Sequence, residues 1–143
     1  MKEEREYIIG KLLNDTLYMS KDLLLKEGEF YPFAEYLDDK NKYILLNVQL
    51  RDCEIGYVKE KHQMLLASLK KLVDEGKCKS FAVALNVFLK DKSAIRIDLR
   101  YNENYSRNFI YPYTLENGKI VIEDSYATGG NDIFQQLDVP QKR

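Results

Sequence analysis

The most regular set of charged side chains in the sequence consists of Arg96, Asp98 and Arg100, which alternate with aliphatic residues in segment 94–101. A strand places alternate residues on the same face, so the three charges should share one face and the aliphatic residues the other. Cations spaced in this way could bind an acidic protein or a nucleic-acid backbone. The intervening carboxylate is instead typical of a solvated sheet surface. We therefore expect a wet, mixed-charge face that serves solvation or a protein interface.

Two aromatic segments that each contain a proline form the second candidate site: Phe-Tyr-Pro-Phe at 30–33 and Phe-Ile-Tyr-Pro-Tyr at 109–113. Proline cannot donate a ladder hydrogen bond, so it is restricted to an edge strand or to the entrance of a strand. The aromatic side chains either pack into the core at a strand bend or line a binding edge or pocket, where tyrosine hydroxyls could orient a ligand. The candidate binding residues in these segments are Tyr31, Phe33, Tyr111 and Tyr113.

No established catalytic or metal-binding pattern accompanies these candidates. His62 is the only histidine, and with Cys53 and Cys78 it does not make a known zinc-binding spacing. The sequence has no Gly-x-Ser-x-Gly motif, and the glycines at 129–130 lack the lysine of a phosphate-binding loop. We predict no catalytic residue, no metal and no cofactor, and we interpret His62 as a packed side chain and the cysteines as buried or idle thiols.

Two amphipathic helices and six strands are expected to position these residues. Apolar residues at three- and four-residue steps predict helices at about 3–26 and 57–75, each followed by a glycine that can cap it. Asn117-Gly118 between two apolar runs predicts a type I′ hairpin turn. Strands are predicted at 29–37, 43–50, 81–89, 94–101, 108–113 and 119–124. The expected fold class is α+β: an antiparallel sheet of about six strands with both helices on one face, in the order α-β-β-α-β-β-β-β.

Length and composition indicate one globular domain. The 143 residues carry a net charge of -1 and are 45% hydrophobic, which suits a domain at 1–134 followed by a polar, frayed tail at 135–143. No apolar run approaches the ~20 residues of a membrane span, and the charged N-terminus has no signal-peptide core, so we expect a soluble cytoplasmic protein without membrane contact. The balanced charge argues against nucleic acid as a partner.

Several of these segments resemble a family of small uncharacterised bacterial proteins. The resemblance is carried by GEFYPF at 28–33, by AIRIDL at 94–99, by Tyr-Pro-Tyr at 111–113 and by Ile133-Phe134. Similar sequences tend to have Glu-His where this chain has Arg100-Tyr101, so a histidine there is missing. The resemblance implies a bacterial cytosolic α+β protein, and it carries over no reaction and no site residues.

Two functions are compatible with these features. The absence of a catalytic set, the 11 tyrosines and the mixed-charge face favour a non-catalytic protein-interaction module of the immunity or accessory type, whose partner is another protein or a second copy of the chain. The alternative is a small-molecule-binding protein or an unrecognised enzyme that uses an aromatic pocket near the two proline-containing strands.

Overall fold

The order of helices and strands is the one predicted from the sequence, and the α+β class is confirmed, with a seventh strand added. The computed structural model describes residues 2–47, 58–129 and 133–136. The helices are α1 (Lys2–Glu27) and α2 (Val58–Asp74), and a short 3₁₀ helix spans Ile133–Gln136. The strands are β1 (Phe33–Asp38), β2 (Tyr43–Leu46), β3 (Cys78–Phe88), β4 (Ser93–Asn102), β5 (Tyr105–Glu116), β6 (Lys119–Ile122) and β7 (Tyr126–Gly129).

All seven strands belong to one antiparallel sheet. Six of them follow the spatial order β2-β1-β3-β4-β5-β6, and β7 lies off this path beside β5. The N-terminal half of β5 also pairs with β7, a strand that the sequence pattern had not indicated. Pro112 lies at the point where β5 stops pairing with β4 and starts pairing with β6. Proline has no backbone N–H, so it fits the position where the ladder changes partner.

Helices α1 and α2 lie against opposite faces of the sheet, so the prediction that both lie on one face is wrong. Central strand β3 shows why, because its alternate residues enter two different cores. Ala82 and Ala84 belong to the first core, beneath α1, whereas Phe81, Val83 and Leu85 belong to the second core, beneath α2 and the 3₁₀ helix. A strand that is buried on both faces has a continuous run of apolar residues in its sequence. Each face of the sheet then needs a helix packed against it.

Backbone geometry confirms the predicted turns next to these elements. Asn117 and Gly118 have φ angles of 51° and 74°, as a type I′ turn between β5 and β6 requires. Gly28 has a φ of 82°, and its N–H donates to the carbonyl of Leu24 at 2.8 Å, which ends α1. Pro32 directly precedes β1, which agrees with a proline at the strand entrance.

Some of the sequence predictions fall outside the described residues. These are the end of the second predicted strand at 48–50, the start of the second helix at Tyr57, and Cys53. The 3₁₀ helix extends to Gln136, two residues into the segment that we expected to be frayed, and 137–143 are not described. Among the helices that the structure describes, none combines the length and the apolar character needed to cross a membrane.

Candidate functional site

The charged face of β4 is covered by the chain itself. Asp98 is completely buried and Arg100 is nearly so, because the 3₁₀ helix and α2 lie over this face. The expectation of a wet, mixed-charge surface at Arg96, Asp98 and Arg100 is therefore wrong. The sequence pattern correctly placed the three charged residues on one face of the strand. It could not show that the 3₁₀ helix and α2 cover that face.

A closed polar network forms at this position. The Arg96 guanidinium donates through Nε and Nη2 to the two carboxylate oxygens of Asp98, both at 2.8 Å. Gln136 bridges the pair: its Oε1 accepts from Arg96 Nη2 and its Nε2 donates to Asp98, each at 3.0 Å. Gln63 of α2 donates to the Gln136 carbonyl at 2.8 Å. The ionic residues of β4 therefore fasten the 3₁₀ helix to the sheet.

The side chains beside this network are packed rather than arranged for catalysis. The ring of Phe134 lies 5.4 Å from that of Phe81 and 5.2 Å from the guanidinium carbon of Arg100. His62 of α2 is half-buried, and its Nε2 has no hydrogen-bond partner within the described residues. Burial lowers the pKa of His62, an effect that Asp98 opposes and Arg96 reinforces. This environment favours a neutral imidazole.

The two aromatic segments lie at the same end of the sheet, but strands β3 and β4 separate them. Phe33 is buried in the first core, with its ring 5.7 Å from that of Phe30 in an edge-to-face arrangement. Tyr113 is also buried, and its hydroxyl donates to Oδ1 of Asn86 at 3.0 Å. Tyr111 is half-buried, and burial raises the pKa of its hydroxyl.

A cavity of about 410 Å³ lies at the first of these segments. Its wall combines the last turns of α1, the segment that leads into β1, strand β2 and the first turn of α2. Of the four aromatic candidates, the described lining contains Tyr31 and Phe33 but neither Tyr111 nor Tyr113. The described lining residues are Met19, Leu23, Glu27, Glu29, Phe30, Tyr31, Phe33, Leu45, Asn47 and Lys61.

The local sequence explains why the chain forms a concave surface at this point. Helix α1 ends at Glu27, and Gly28 adopts the left-handed conformation that redirects the backbone. Pro32 then precedes the extended backbone of β1. Phe30 and Phe33 are thereby folded into the first core beneath α1, and Tyr31 remains 42% exposed at the surface. The GEFYPF segment is thus both a helix-ending turn and one wall of the cavity.

Acidic and basic side chains both line the cavity. Lys61 is only 7% exposed, and its Nζ lies 4.6 Å from the centroid of the Tyr31 ring, a distance typical of a cation–π contact. Glu27 and Glu29 are exposed and lie on the α1 side. The apolar part of the lining belongs to Met19, Leu23, Leu45 and the aromatic rings. This arrangement offers a ligand an apolar surface with a positive and a negative group.

A second ionisable cluster lies more than three turns before Glu27 along α1, at Lys11 and Asp15. Glu35 of β1 is 9% exposed, and its Oε1 has no hydrogen-bond partner in the part of the chain that the structure describes. Burial, followed by a hydrogen bond to Asp15 and repulsion from its charge, raises the pKa of Glu35 to about 8, whereas Lys11 acts in the opposite direction. Lys11 itself bridges Asp15 at 3.0 Å and lies 4.9 Å from the ring centroid of Tyr43.

The remaining reactive groups do not suggest a reaction. Cys78 is a buried free thiol, and burial raises its pKa to about 12, so little thiolate forms near neutral pH. No three His, Cys, Asp or Glu side chains within 2–47, 58–129 and 133–136 are close enough together to hold a metal ion.

Sequence reasoning missed two of the important charged residues, although each left a signal. Lys61 lies on the apolar stripe of α2, at the same helical phase as Leu65 and Leu69. Glu35 lies between Phe33 and Leu37 at every second position of β1, on the face that enters the first core. A charged residue on a buried stripe indicates either an ion-pair or hydrogen-bond partner or a functional site, and Lys61 and Glu35 are both charged residues of this kind.

Comparisons of the chain with protein-family models, with curated proteins and with solved structures found no match.

Proposed function

We propose that this protein binds a small molecule in the cavity beside the GEFYPF segment. The observation that carries the proposal is the cavity of about 410 Å³ that Phe30, Tyr31 and Phe33 border together with the buried Lys61. Small-molecule sites typically occupy ~300–1,000 Å³ and combine apolar and aromatic walls with a few polar groups. The described lining has this composition, with six apolar or aromatic residues and four polar ones.

The elements around the cavity support the same proposal. Six of the ten described lining residues belong to two helices and two strands, and Phe33 is buried in the first core. Preformed sites on regular elements cost a ligand less ordering entropy than sites on loops. The described cavity wall offers no nucleophile beside a base, so binding is favoured over catalysis for this site.

The test is a ligand screen against the protein and a variant with a smaller cavity. Leu45 lines the cavity but is 49% exposed, so Leu45→Trp should fill space without disrupting the core. A metabolite panel should raise the melting temperature of the wild-type protein, and Leu45→Trp should abolish the shift. Leu115→Trp, at a similarly exposed leucine of β5, is the matched control and should keep it. Equal shifts in both variants would place binding elsewhere and refute the proposal.

A specific observation also favours protein interaction as a second candidate function. Three large exposed side chains, Tyr7, Tyr18 and Leu25, lie on the outward side of α1, separated by about three and about two helical turns. Tyrosine is enriched in protein interfaces. The chain would then serve as an immunity- or accessory-type module that binds another protein or a second copy of itself. A bacterial cytoplasmic location belongs to this proposal, and the sequence resemblance supports it.

A photo-crosslinking amino acid at position 18 tests this second function. It should give one defined product in the native host, and the same amino acid at exposed Glu103 serves as the control. Identical products from both positions would show collision rather than an interface, and would count against the interaction function.

A further inference from the structure

We propose that the ligand of the cavity is a zwitterion with a large apolar side chain, of which a free apolar α-amino acid is the simplest example. This inference rests on the proposed function, because it names the class of molecule that the same cavity would hold. It depends on the combination of acidic, basic and apolar residues in the wall.

The α1 side of the cavity is suited to an ammonium group. Glu27 is the last residue of α1, and Glu29 follows the glycine turn, so two carboxylates lie together at this end of the helix. The C-terminal end of a helix also carries partial negative charge from its unpaired carbonyl groups. A cation bound here would interact with both the carboxylates and the helix end.

The α2 side is suited to a carboxylate. Lys61 extends from the buried stripe of α2, and its ammonium lies against the face of the Tyr31 ring. Among the described residues it has this ring contact but no carboxylate at ion-pair distance. An ammonium held in this way keeps its hydrogen-bond donors available, and a ligand carboxylate would give it a charge-assisted hydrogen bond.

The apolar part of the cavity wall determines which side chain the ligand would carry. Met19 and Leu23 project from α1, and the rings of Phe30 and Phe33 meet edge to face in the same wall. An aliphatic or aromatic side chain would bury apolar area here, and that burial would favour binding.

Other ligand classes fit the wall less well. A purely anionic ligand would meet Glu27 and Glu29, and a purely cationic ligand would meet Lys61. A neutral ligand would desolvate both kinds of charge without compensating either. A zwitterion matches both ends, and charge complementarity of this kind gives specificity.

Titration calorimetry with three related compounds tests this inference. L-Phenylalanine carries both charges, 3-phenylpropionate lacks the ammonium, and 2-phenylethylamine lacks the carboxylate. We expect L-phenylalanine to bind at least tenfold more tightly than either analogue. In Lys61→Met, whose stem is similar in length, L-phenylalanine and 2-phenylethylamine should bind about equally well. In the double variant Glu27→Gln/Glu29→Gln, L-phenylalanine and 3-phenylpropionate should bind about equally well.

A control variant and the alternative outcomes separate the two proposals. Lys71→Met, at an exposed position in the last turn of α2, should leave all three affinities unchanged. If either analogue binds the wild-type protein as well as L-phenylalanine, and Leu45→Trp blocks it, the zwitterion class is wrong while small-molecule binding stands. If no compound of a wider panel binds in a manner that Leu45→Trp abolishes, both proposals fail.

Discussion

Replacement of Glu35 by glutamine should remove a large pH dependence from the stability of this protein. The Glu35 carboxyl is 9% exposed beneath α1, and Asp15, Lys11 and Tyr43 are the ionisable groups near it. Glutamine keeps the shape of the side chain but cannot ionise. The change therefore tests the cost of the buried charge separately from the packing of the site.

The sign follows from the raised pKa of Glu35. Below pH 4.5 the carboxyl is protonated in both the folded and the unfolded chain. Between pH 4.5 and about 8 the unfolded chain releases the proton while the folded chain retains it, so the free energy of unfolding falls as the pH rises. Above about pH 8 both states are ionised and the loss is complete.

The magnitude follows from the same pKa difference. At about 1.36 kcal/mol for each pH unit, a pKa of about 8 against 4.5 corresponds to at most about 5 kcal/mol. Because the Glu35 and Asp15 carboxyls interact, they share this free energy, and we expect a loss of a few kcal/mol. Glu35→Gln should therefore be more stable than wild type at pH 8.5.

Urea unfolding followed by circular dichroism from pH 4 to pH 9 measures the effect. The difference in unfolding free energy between Glu35→Gln and wild type should grow between pH 4.5 and about 8 and then level off, whereas Glu103→Gln, at an exposed turn, should follow wild type. Asp15→Asn removes one cause of the raised pKa of Glu35, so in this variant the loss of stability should be complete at a pH below about 8. Parallel curves for wild type and Glu35→Gln would refute the reasoning.

Three further predictions concern the two cores. Ile97→Ala should cost about 2–5 kcal/mol of unfolding free energy in urea, and a loss under ~1 kcal/mol would contradict its place in the first core. Arg96→Met should cost about 2–4 kcal/mol by the same assay, because it leaves the Asp98 carboxylate buried without its guanidinium partner; an unchanged midpoint would show that this ion pair does not stabilise the fold. Native Cys78 should resist iodoacetamide at pH 8 and react only in urea, as peptide mass spectrometry would show; rapid native labelling would contradict its burial.

Local sequence patterns predicted the elements of this fold but not their partners. The Asn117-Gly118 turn depends only on residues within the hairpin, and it was confirmed. The burial of the Asp98 face depends on Gln136, which lies 40 residues beyond Arg96 in the chain. The pattern of β4 alone therefore could not show that this face is covered. Alternation shows which residues share a face, whereas the solvation of that face is decided by tertiary contacts.

The candidate site was predictable to a similar extent. The proline and aromatic residues of the GEFYPF segment indicated a strand bend or a binding edge or pocket, and the segment does border the cavity. The contact between Lys61 and Tyr31 joins α2 to the segment before β1, and neither local pattern contains that information. Tyr113 was grouped with Phe33 on composition, yet its hydroxyl is engaged with Asn86.

The middle of α1 has a further consequence for the cavity. Its buried stripe carries Thr16 and Ser20, whose hydroxyls donate to carbonyls of the preceding turn at 2.7 and 2.8 Å, and the first core receives only Ala82 and Ala84 from β3. Side chains this small allow the helix and the sheet to approach closely there. Because α1 also carries Met19, Leu23 and Glu27 of the cavity wall, a larger residue at Thr16 would push the helix outward and change the width of a site that it does not touch.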